Sequence, residues 1–268
     1  MRGLEVFLNA THRMELEYDG TGLHGWAKQD GLPTVEGYLE SALQTVLGSA
    51  PALTVAGRTD AGVHARRQVV SLNLPPATDL PRLVGSLNAL TPPGVAVTCI
   101  KPVAEGFDAR KGALSRTYRY FLSTTTVDSP FWSRYAWHTQ SRPELSLLRA
   151  AAEATLGQHD FSAFTPTDTE HVFFLRTVLR CAWWRVPGEK GMLAMEIEAD
   201  AFLRHMVRAL VGTMLEVGEG RRQLESYRDL LGGAAREAAG PTAPAHGLFL
   251  WDIKYGAGVP TQEFEGSE

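Results

Sequence analysis

The alternation of apolar and polar positions in the first hundred residues predicts a series of strands and helices. Residues 14–18 (MELEY) alternate as a half-buried strand does. Residues 34–47 carry apolar side chains at helical spacing, with Thr34 suited to cap this helix and Gly48 suited to end it. Further strands are predicted at 53–56, 68–74 and 95–100, and a second helix at 79–90. The predicted order is therefore strand, helix, strand, strand, helix, strand.

The same order recurs in the second half of the chain. Strands are predicted at 117–123, 175–186, 192–199 and 248–255, and helices at 144–156, 203–217 and 223–231. Two βαββαβ units in tandem predict an α+β fold of two ferredoxin-like halves, whose mostly antiparallel sheet carries its helices on one face. The halves share no evident sequence identity, so the repeat is one of topology. The predicted organisation is an N-terminal extension (1–13), a first half (14–105), a second half (106–256) and a tail (257–268).

Length and composition indicate a globular protein that needs no covalent staple. With 268 residues, 44% of them hydrophobic, the chain can bury a core without disulfides or a structural metal. No apolar stretch approaches the roughly 18 to 20 residues that a membrane helix needs, and the opening residues lack the features of a signal peptide. Cys99 and Cys181 stand singly in apolar, strand-like segments, which is typical of buried reduced thiols. These features predict a soluble cytoplasmic protein.

The charge is acidic overall, but the basic residues are clustered. The formal net charge is −4, yet 21 of the 26 basic residues are arginine. They gather in the segments 58–67, 110–119 and 221–222. The planar guanidinium fork suits phosphate groups, whereas a GC-rich genome also raises arginine content and most charge clusters are solvated faces. Charge alone therefore leaves nucleic-acid binding open.

The segment AGRTDAGVHA at 56–65 is the strongest candidate for chemistry. It joins two predicted strands, and its glycines allow a ligand to approach the backbone closely. Between the glycines lie Arg58 and Asp60, a cation and a carboxylate two positions apart. A carboxylate at a loop tip can act as a nucleophile or as a general base. The alternative is structural, with Asp60 closing a turn and Arg58 pairing with it.

The nine residues GRTDAGVHA at 57–65 resemble the signature of the tRNA pseudouridine synthase A family. Four further segments resemble that family's motifs in the same order, namely YDG…GW at 18–26, FDARKGALSRTYRY at 107–120, AFLRHMVRALVG at 201–212 and PTAPAHGL at 241–248. The chain departs from the pattern at Ala27, where the family usually has Gln, and at Asp108, where His is common. The likeness covers residues 14–255, and Met14 is a candidate for the initiating residue.

This resemblance implies an isomerase that converts uridine to pseudouridine at positions 38, 39 and 40, in the anticodon stem-loop of tRNA. Such an enzyme flips the base out of its stack, breaks the N1–C1′ bond, rotates the base and rejoins it through C5. It works as a cytoplasmic homodimer on tRNA, and it needs no cofactor and no metal.

The resemblance also assigns roles to four residues. Asp60 is the nucleophile, and Arg208 is its basic partner. Tyr118 stacks on the uracil, and Arg58 enters the space that the flipped base vacates. Whether Asp60 attacks uracil C6 or ribose C1′, or abstracts a ribose proton, stays open.

The chemical character of these side chains also indicates their roles, independently of the resemblance. Arg208 lies in an apolar helical stretch (MVRALV), where an unpaired charge would be costly. An anionic partner is therefore expected there, and Asp60 is the candidate. For Tyr118 the alternative is ordinary strand packing. His205, next to Arg204, is expected to be a packed histidine on a helix surface, and its other candidate role is contact with RNA phosphate.

Two rival functions remain after other classes are excluded. The histidines show none of the spacings of a metal site, and no G-x-S-x-G elbow indicates a serine hydrolase. The first rival is a non-catalytic RNA-binding module of the same fold, which has no use for a nucleophile. The second is a glycosidase, which needs a second acid about 5 Å from the first carboxylate. The sequence near Asp60 supplies no such acid, which leaves a glutamate that is distant in sequence and near in space as the remaining source.

Overall fold

Strands and helices occur in both halves of the chain. The computed structural model describes residues 10–169 and 172–256, so the predicted tail at 257–268 lies outside the described residues, as do positions 1–9, 170 and 171. The described strands are β1 (Ala10–Tyr18), β2 (Thr54–Val55), β3 (His64–Leu74), β4 (Val95–Pro102), β5 (Ala113–Ser123), β6 (Trp137–His138), β7 (Gly157–Asp160), β8 (Leu175–Arg185), β9 (Met192–Ala199) and β10 (Leu248–Tyr255). The described helices are α1 (Val35–Leu47), α2 (Leu80–Leu90), α3 (Leu145–Ala154), α4 (Met206–Gly218) and α5 (Leu224–Leu230). The fold is therefore α+β, as predicted.

The first two helices begin at side-chain caps. The hydroxyl of Thr34 accepts the backbone N–H of Gly37, and the carboxylate of Asp79 accepts that of Arg82. Such caps satisfy amide groups that have no partner in the first turn of a helix. Gly48 ends α1 with a left-handed backbone (φ 76°), which glycine adopts without steric cost. The predicted bounds of both helices are confirmed to within one residue.

The described strands form one sheet that is mostly antiparallel. Their order is β4-β1-β3-β10-β5-β9-β8-β7, with β2 paired to β3 and β6 paired to β5. Strand β10 lies between β3 and β5. It is antiparallel to β5, and it is parallel to β3 through the pairs Phe249–His64 and Leu250–Ala65. The strand β10, which is the last in the chain, therefore lies in the middle of the sheet and joins the strands of the first half of the chain to those of the second.

One hydrophobic core packs against this sheet and extends through both halves. Helix α4 is the most deeply buried of the described helices, since eleven of its thirteen residues are buried. The two that are not are Arg208 and Glu216. A charged side chain on such a helix needs a defined partner, because leaving it unpaired in an apolar surrounding is costly.

The strand β1 starts earlier than predicted, at Ala10 rather than at residue 14. Positions 10–13 of the predicted extension are therefore part of the sheet. The pattern failed here because charged side chains lie inside the sheet. Arg13 and Glu15 are both buried and form an ion pair at 2.9 Å, and Glu15 also binds Arg67. A charged residue in a sequence is normally taken as an exposed position, so buried charges that neutralise one another hide the true start of the strand.

Two strands in the second half were not predicted. The four residues of β7 (GQHD) are polar and show no alternation, and β6 is only two residues long. The helix predicted at 144–156 ends at Ala154, and Gly157 begins β7 instead of only terminating the helix. Short edge strands lack the apolar pattern on which sequence prediction depends.

Both cysteines are free thiols. Cys181 is buried, as predicted, and burial raises the pKa of its thiol to about 12. Cys99 is partly exposed, which corrects the prediction that it is buried. In the portions of the chain that are described, no helix combines the length and the apolar character that a transmembrane span requires.

Candidate active site

A cleft of about 1070 Å³ lies among the loop that follows β2, the residues that begin α4, and β5. Four predicted site residues line it, namely Arg58, Asp60, Tyr118 and Arg208. They come from three elements that are distant in sequence, and the insertion of β10 between β3 and β5 brings those elements together.

The backbone of the loop at 57–63 is supported by the segment that follows β1. The N–H of Trp26 donates to the carbonyl oxygen of Thr59 at 3.0 Å. Gly25 has a left-handed backbone (φ 86°), and a Cβ at this position would lie only 2.6 Å from the same oxygen. A side chain at position 25 would therefore push the loop out of place. The YDG…GW motif at 18–26 is the support on which the loop rests.

The buried side chains of Tyr18 and Gln68 hold the loop on both sides of Arg58. The Tyr18 oxygen lies 2.7 Å from Oγ1 of Thr59, and Nε2 of Gln68 donates to that oxygen at 3.3 Å. The same amide nitrogen donates to the carbonyl oxygen of Gly57 at 2.8 Å. Burial raises the pKa of Tyr18 to about 12, so this hydroxyl stays protonated near neutral pH.

His64, the first residue of β3, joins the loop to segments of the second half. The N–H of Gly20 donates to its Nδ1 at 2.9 Å, and its Nε2 lies 3.1 Å from the carbonyl oxygen of Arg134 and 3.0 Å from that of His246. Burial lowers the pKa of His64. Its Nδ1 also lies 3.1 Å from Oδ1 of Asp19, whose charge raises the pKa, but the net shift is downward. Its ring also stacks on Phe249, with 4.5 Å between the centroids.

The carboxylate of Asp60 is partly exposed to the cleft. Within the described chain its side-chain contacts fall on one oxygen, Oδ2, which lies 3.4 Å from Nη1 of Arg208 and 3.5 Å from Nε2 of His205. Arg58 is exposed on the cleft wall and forms no ion pair with any described residue. The pairing of Arg58 with Asp60, an alternative that the sequence left open, is therefore not observed.

Arg208 is held in position by the segment that precedes β10. Its Nε donates to the carbonyl oxygen of Ala243 at 2.7 Å, and the N–H of Ala243 donates to the carbonyl oxygen of Arg208 at 3.0 Å. One turn later, a Cβ on Gly212 would overlap the carbonyl oxygen of Pro241. This close approach lets one guanidinium bind a backbone carbonyl and the carboxylate of Asp60 together.

Tyr118 reaches the cleft from β5. Its side chain is only 8% exposed, and its ring meets that of Phe202 edge to face, with 5.0 Å between the centroids. Burial raises the pKa of Tyr118 above its usual value, so the hydroxyl stays protonated through the neutral range. The two rings form an aromatic wall of the cleft, and Phe202 was not singled out in the sequence.

The arginine clusters of the sequence separate in the structure. Arg58 and Arg110 face the cleft, whereas Arg119 pairs with Glu196 at 2.7 Å. Arg116 borders the cleft, but its guanidinium donates to the carbonyl oxygens of Ala113, Asp200, Ala56 and Arg110. Other members form ion pairs, namely Arg66 with Glu17, Arg67 with Glu15 and Asp252, and Arg221 and Arg222 with Glu216. Most of the clustered arginines therefore neutralise acids of the same chain.

Sequence reasoning missed two arginines and underrated a histidine at the cleft. Arg176 and Arg204 line it, and Arg204 also contacts Asp168. His205 contacts Asp60 instead of packing on a helix surface. Arg204 and His205 belong to the AFLRHMVR segment, which was the signal available for them, whereas Arg176, the second residue of β8, belongs to none of the motifs or arginine clusters noted in the sequence.

The cleft combines a carboxylate, a guanidinium, an aromatic wall and several further arginines. Such a set can carry out nucleophilic or general-base chemistry on a substrate that bears phosphates. Among the residues that the structure describes, no group of three or more His, Cys, Asp or Glu side chains is placed to hold a metal ion.

Comparison with known proteins gives consistent matches. A family model described as tRNA pseudouridine synthase matches residues 151–256. A tRNA pseudouridine synthase A of Myxococcus xanthus is 39% identical over 251 residues, which are 93% of this chain and 94% of that protein. A tRNA pseudouridine synthase A of Frankia casuarinae is 42% identical over 91% of this chain and 88% of its own. One from Chlorobium chlorochromatii is 39% identical over 91% of this chain and 99% of its own.

Proposed function

We propose, since this chain belongs to the tRNA pseudouridine synthase A family, that its cleft isomerises uridine to pseudouridine in the anticodon stem-loop of tRNA, at positions 38, 39 and 40. The observation that carries the assignment of the site is the position of Asp60. Its carboxylate is open to an arginine-lined cleft, and Arg208 and His205 contact only its Oδ2.

Asp60 supplies the nucleophile or base of this reaction. The N1–C1′ bond of the uridine breaks, the base rotates, and a C5–C1′ bond forms. C5 loses its proton and N1 gains one, so the product is an isomer and no electrons enter or leave. Because Arg208 holds Oδ2, the other oxygen is available for attack on C6 or C1′ or for abstraction of a ribose proton. These three routes share the same residue and the same overall balance.

Tyr118 and Arg58 receive the nucleotide. A uridine in a helical stem must leave its stack to expose C1′ and C6, at a cost of a few kcal/mol. Tyr118 offers the flipped base an aromatic surface beside Asp60, and stacking on such a ring repays part of that cost. Arg58 is exposed and close to Asp60 in the chain, so it is placed to occupy the vacated space and to bind phosphate.

The local charge of the cleft supports an RNA substrate in spite of the net charge of −4. Among the residues that the structure describes, its lining contains two acids, Glu36 and Asp60. Six arginines face them, namely Arg58, Arg110, Arg116, Arg176, Arg204 and Arg208. Phosphate binding depends on such local charge more than on the net charge of the molecule.

The proposal includes the organisation of the chain. We place one ferredoxin-like half at 14–105, extended to residue 10 by the observed start of β1, and the other at 106–256, working as a homodimer in the cytoplasm. The strand order supports the two halves, because β4-β1-β3-β2 in the first corresponds to β10-β5-β9-β8 in the second. In each half the first strand of the unit lies between the last and the third, as it does in a split βαβ fold.

The decisive experiment is tritium release from tRNA transcripts labelled at uridine C5, with the protein and with Asp60→Ala. Formation of the C5–C1′ bond must expel the C5 hydrogen, so release reports the chemistry directly. We expect release by the protein and a loss of about three orders of magnitude or more in the variant, with tRNA binding retained. Asp128→Ala, which removes an exposed carboxylate outside the cleft, is the matched control and should leave the rate unchanged.

Other outcomes would identify the rival functions. Binding of tRNA without any release of tritium would indicate an RNA-binding module. Release of free uracil from the transcript would indicate a glycosidase. Release that Asp60→Ala does not affect would show that another group is the nucleophile.

A further inference from the structure

His205 is a second basic group at the Asp60 carboxylate. Its Nε2 lies 3.5 Å from Oδ2 of Asp60, the same oxygen that Nη1 of Arg208 approaches to 3.4 Å. The imidazole is one-third exposed and lines the cleft. The sequence did not predict this contact, because the helical pattern placed His205 on a helix surface.

The backbone of His205 has an unusual conformation that places its side chain in the cleft. Its φ is +62°, and it is the one non-glycine residue with positive φ among those that the structure describes. L side chains rarely adopt this region. Helix α4 begins directly after His205, whose carbonyl oxygen accepts the N–H of Ala209 at 3.0 Å. Strained residues of this kind persist where the surroundings fix them, and they concentrate at functional sites.

The residue before His205 is anchored on both its backbone and its side chain. The carbonyl oxygen of Arg204 accepts the hydroxyl of Thr165 at 3.1 Å, and Thr165 is buried. The guanidinium of Arg204 contacts Asp168. The peptide that leads into His205 is therefore held from outside α4, and the left-handed turn is part of the site's construction.

The charges around His205 favour its neutral form near neutral pH. Burial lowers the pKa of the imidazole, and the cations of Arg208 and Arg204 lower it further. The carboxylates of Asp60 and Asp168 act in the opposite direction, but the net shift is downward. A neutral imidazole with its proton on Nε2 can donate that proton to Oδ2 without adding a positive charge to the site.

We propose that His205 is a positioning residue, whose Nε2–H and the guanidinium of Arg208 together hold Oδ2 of Asp60, so that the other carboxylate oxygen faces the nucleotide. This inference rests on the proposed function. In acid the imidazole gains a proton and a second full positive charge faces the carboxylate. That charge draws electron density away from the nucleophile, so the rate of the chemical step falls as the pH drops through the pKa of His205.

The test compares His205→Ala with His205→Gln. Both replacements put an L side chain at the same positive φ, so the backbone strain is matched and their difference reports the side chain. The amide nitrogen of Gln can take the place of Nε2 but does not titrate. His159→Gln is the control, because His159 lies on the edge strand β7 and its Nε2 contacts only the nearby Leu156 carbonyl oxygen among the described residues.

The readouts are the single-turnover rate of tritium release at pH 5 to 8 and the dissociation constant for tRNA. The 3.5 Å contact is expected to shorten to a hydrogen bond when the nucleotide is bound. Its removal then implies a loss of about tenfold or more in the rate for His205→Ala, with tRNA affinity within about twofold. His205→Gln should recover most of the rate at neutral pH and should lack the fall in acid. The proposal is overturned if His205→Ala keeps the rate, or if the loss lies in tRNA affinity, which would show a phosphate contact instead.

A second measurement does not depend on activity. The imidazole of His205 is titrated by NMR in the unaltered protein and in Asp60→Asn, which removes the carboxylate charge. The pKa of His205 should be lower in the variant, because the anion that favours the imidazolium is gone. An unchanged titration would show that the two groups do not interact. Absence of tritium release by the unaltered protein would refute the proposed function, while this titration would still test the contact.

Discussion

Arg208 and Asp60 form an ion pair across the two halves of the chain, with 3.4 Å between Nη1 and Oδ2. Asp60 lies in the loop between β2 and β3, and Arg208 lies in the first turn of α4. The guanidinium is also tied to the carbonyl oxygen of Ala243. The second half of the molecule therefore sets the position of a carboxylate that the first half carries.

We expect Arg208→Lys to reduce the single-turnover rate about tenfold and Arg208→Met about 100-fold. Lysine keeps the charge, but a single ammonium lacks the rigid fork that binds Ala243 and Asp60 together. Methionine leaves the carboxylate without its cation in a partly buried site. Tritium release under single-turnover conditions measures both effects. Arg222→Lys is the matched control, because Arg222 also bridges a carboxylate, that of Glu216, and a carbonyl oxygen outside the cleft. Equal losses in all three variants would contradict the prediction.

Gly25→Ala should displace the loop at 57–63 more than Gly22→Ala does. Both glycines have positive φ, which costs an L residue about 1 to 2 kcal/mol. A Cβ at position 22 meets nothing within 4 Å, whereas one at position 25 would lie 2.6 Å from the carbonyl oxygen of Thr59. We therefore expect a small loss of thermal stability in Gly22→Ala with normal turnover. Gly25→Ala should lose more stability and also lose turnover. Thermal melts and the single-turnover assay provide the two readouts, and equal behaviour of the variants would refute the account of the loop support.

Arg58→Ala and Arg110→Ala should weaken tRNA binding and flatten its dependence on salt. Each phosphate contact that is lost should lower the slope of log Kd against log salt by about 0.7 to 0.9. Arg66→Ala serves as the control, because Arg66 pairs with Glu17 and does not line the cleft. Titrations between 50 and 200 mM salt compare the three variants with the unaltered protein. A reduced slope in Arg66→Ala alone would place the RNA on another surface.

Tyr118→Leu should cost about 1 to 3 kcal/mol of stabilisation of the flipped base, or roughly 5- to 150-fold in the rate. Tyr118→Phe keeps the ring and tests the hydroxyl separately. Because burial raises the pKa of Tyr118, its hydroxyl does not ionise in the neutral range. Any loss in Tyr118→Phe should therefore be constant between about pH 6 and 9. A loss that grows with pH would show that the hydroxyl ionises and acts as a base. Tyr38→Leu, at a tyrosine that does not line the cleft, is the control.

The central elements of the fold could be predicted because their local signals agree with their burial. The caps at Thr34 and Asp79 lie at the starts of α1 and α2. The predicted β1 was too short because Arg13 and Glu15 neutralise each other inside the sheet. The sequence does not show which charged side chains form ion pairs. The strand β7 was missed because it is short, polar and held mainly by its neighbour β8.

The candidate site likewise contains residues whose roles could be predicted from the sequence and residues whose positions could not. The expectation that Arg208 needs an anion follows from its place in an apolar helix, and the structure puts the carboxylate of Asp60 beside it. The arginine clusters did not show which arginines would face the cleft, because strand residues alternate between faces. Arg116 and Arg119 are three positions apart on β5, so one guanidinium reaches carbonyl oxygens at the cleft and the other pairs with Glu196. His205 was underrated because a histidine, unlike a glycine, does not indicate a left-handed backbone at the start of a helix.

The place of β10 in the sheet determines when the active site can form during protein synthesis. A chain made from its amino end completes β3 long before residues 248–255 leave the ribosome, so the edge of β3 at His64 and Ala65 stays unpaired in that interval. Open strand edges are sites of mispairing between chains, and large proteins are most prone to aggregate at such stages. Because β10 also lies between β3 and β5, Asp60 and Tyr118 become neighbours only when it docks. A nascent chain that has not reached this strand carries Asp60 but has not yet formed the cleft around it.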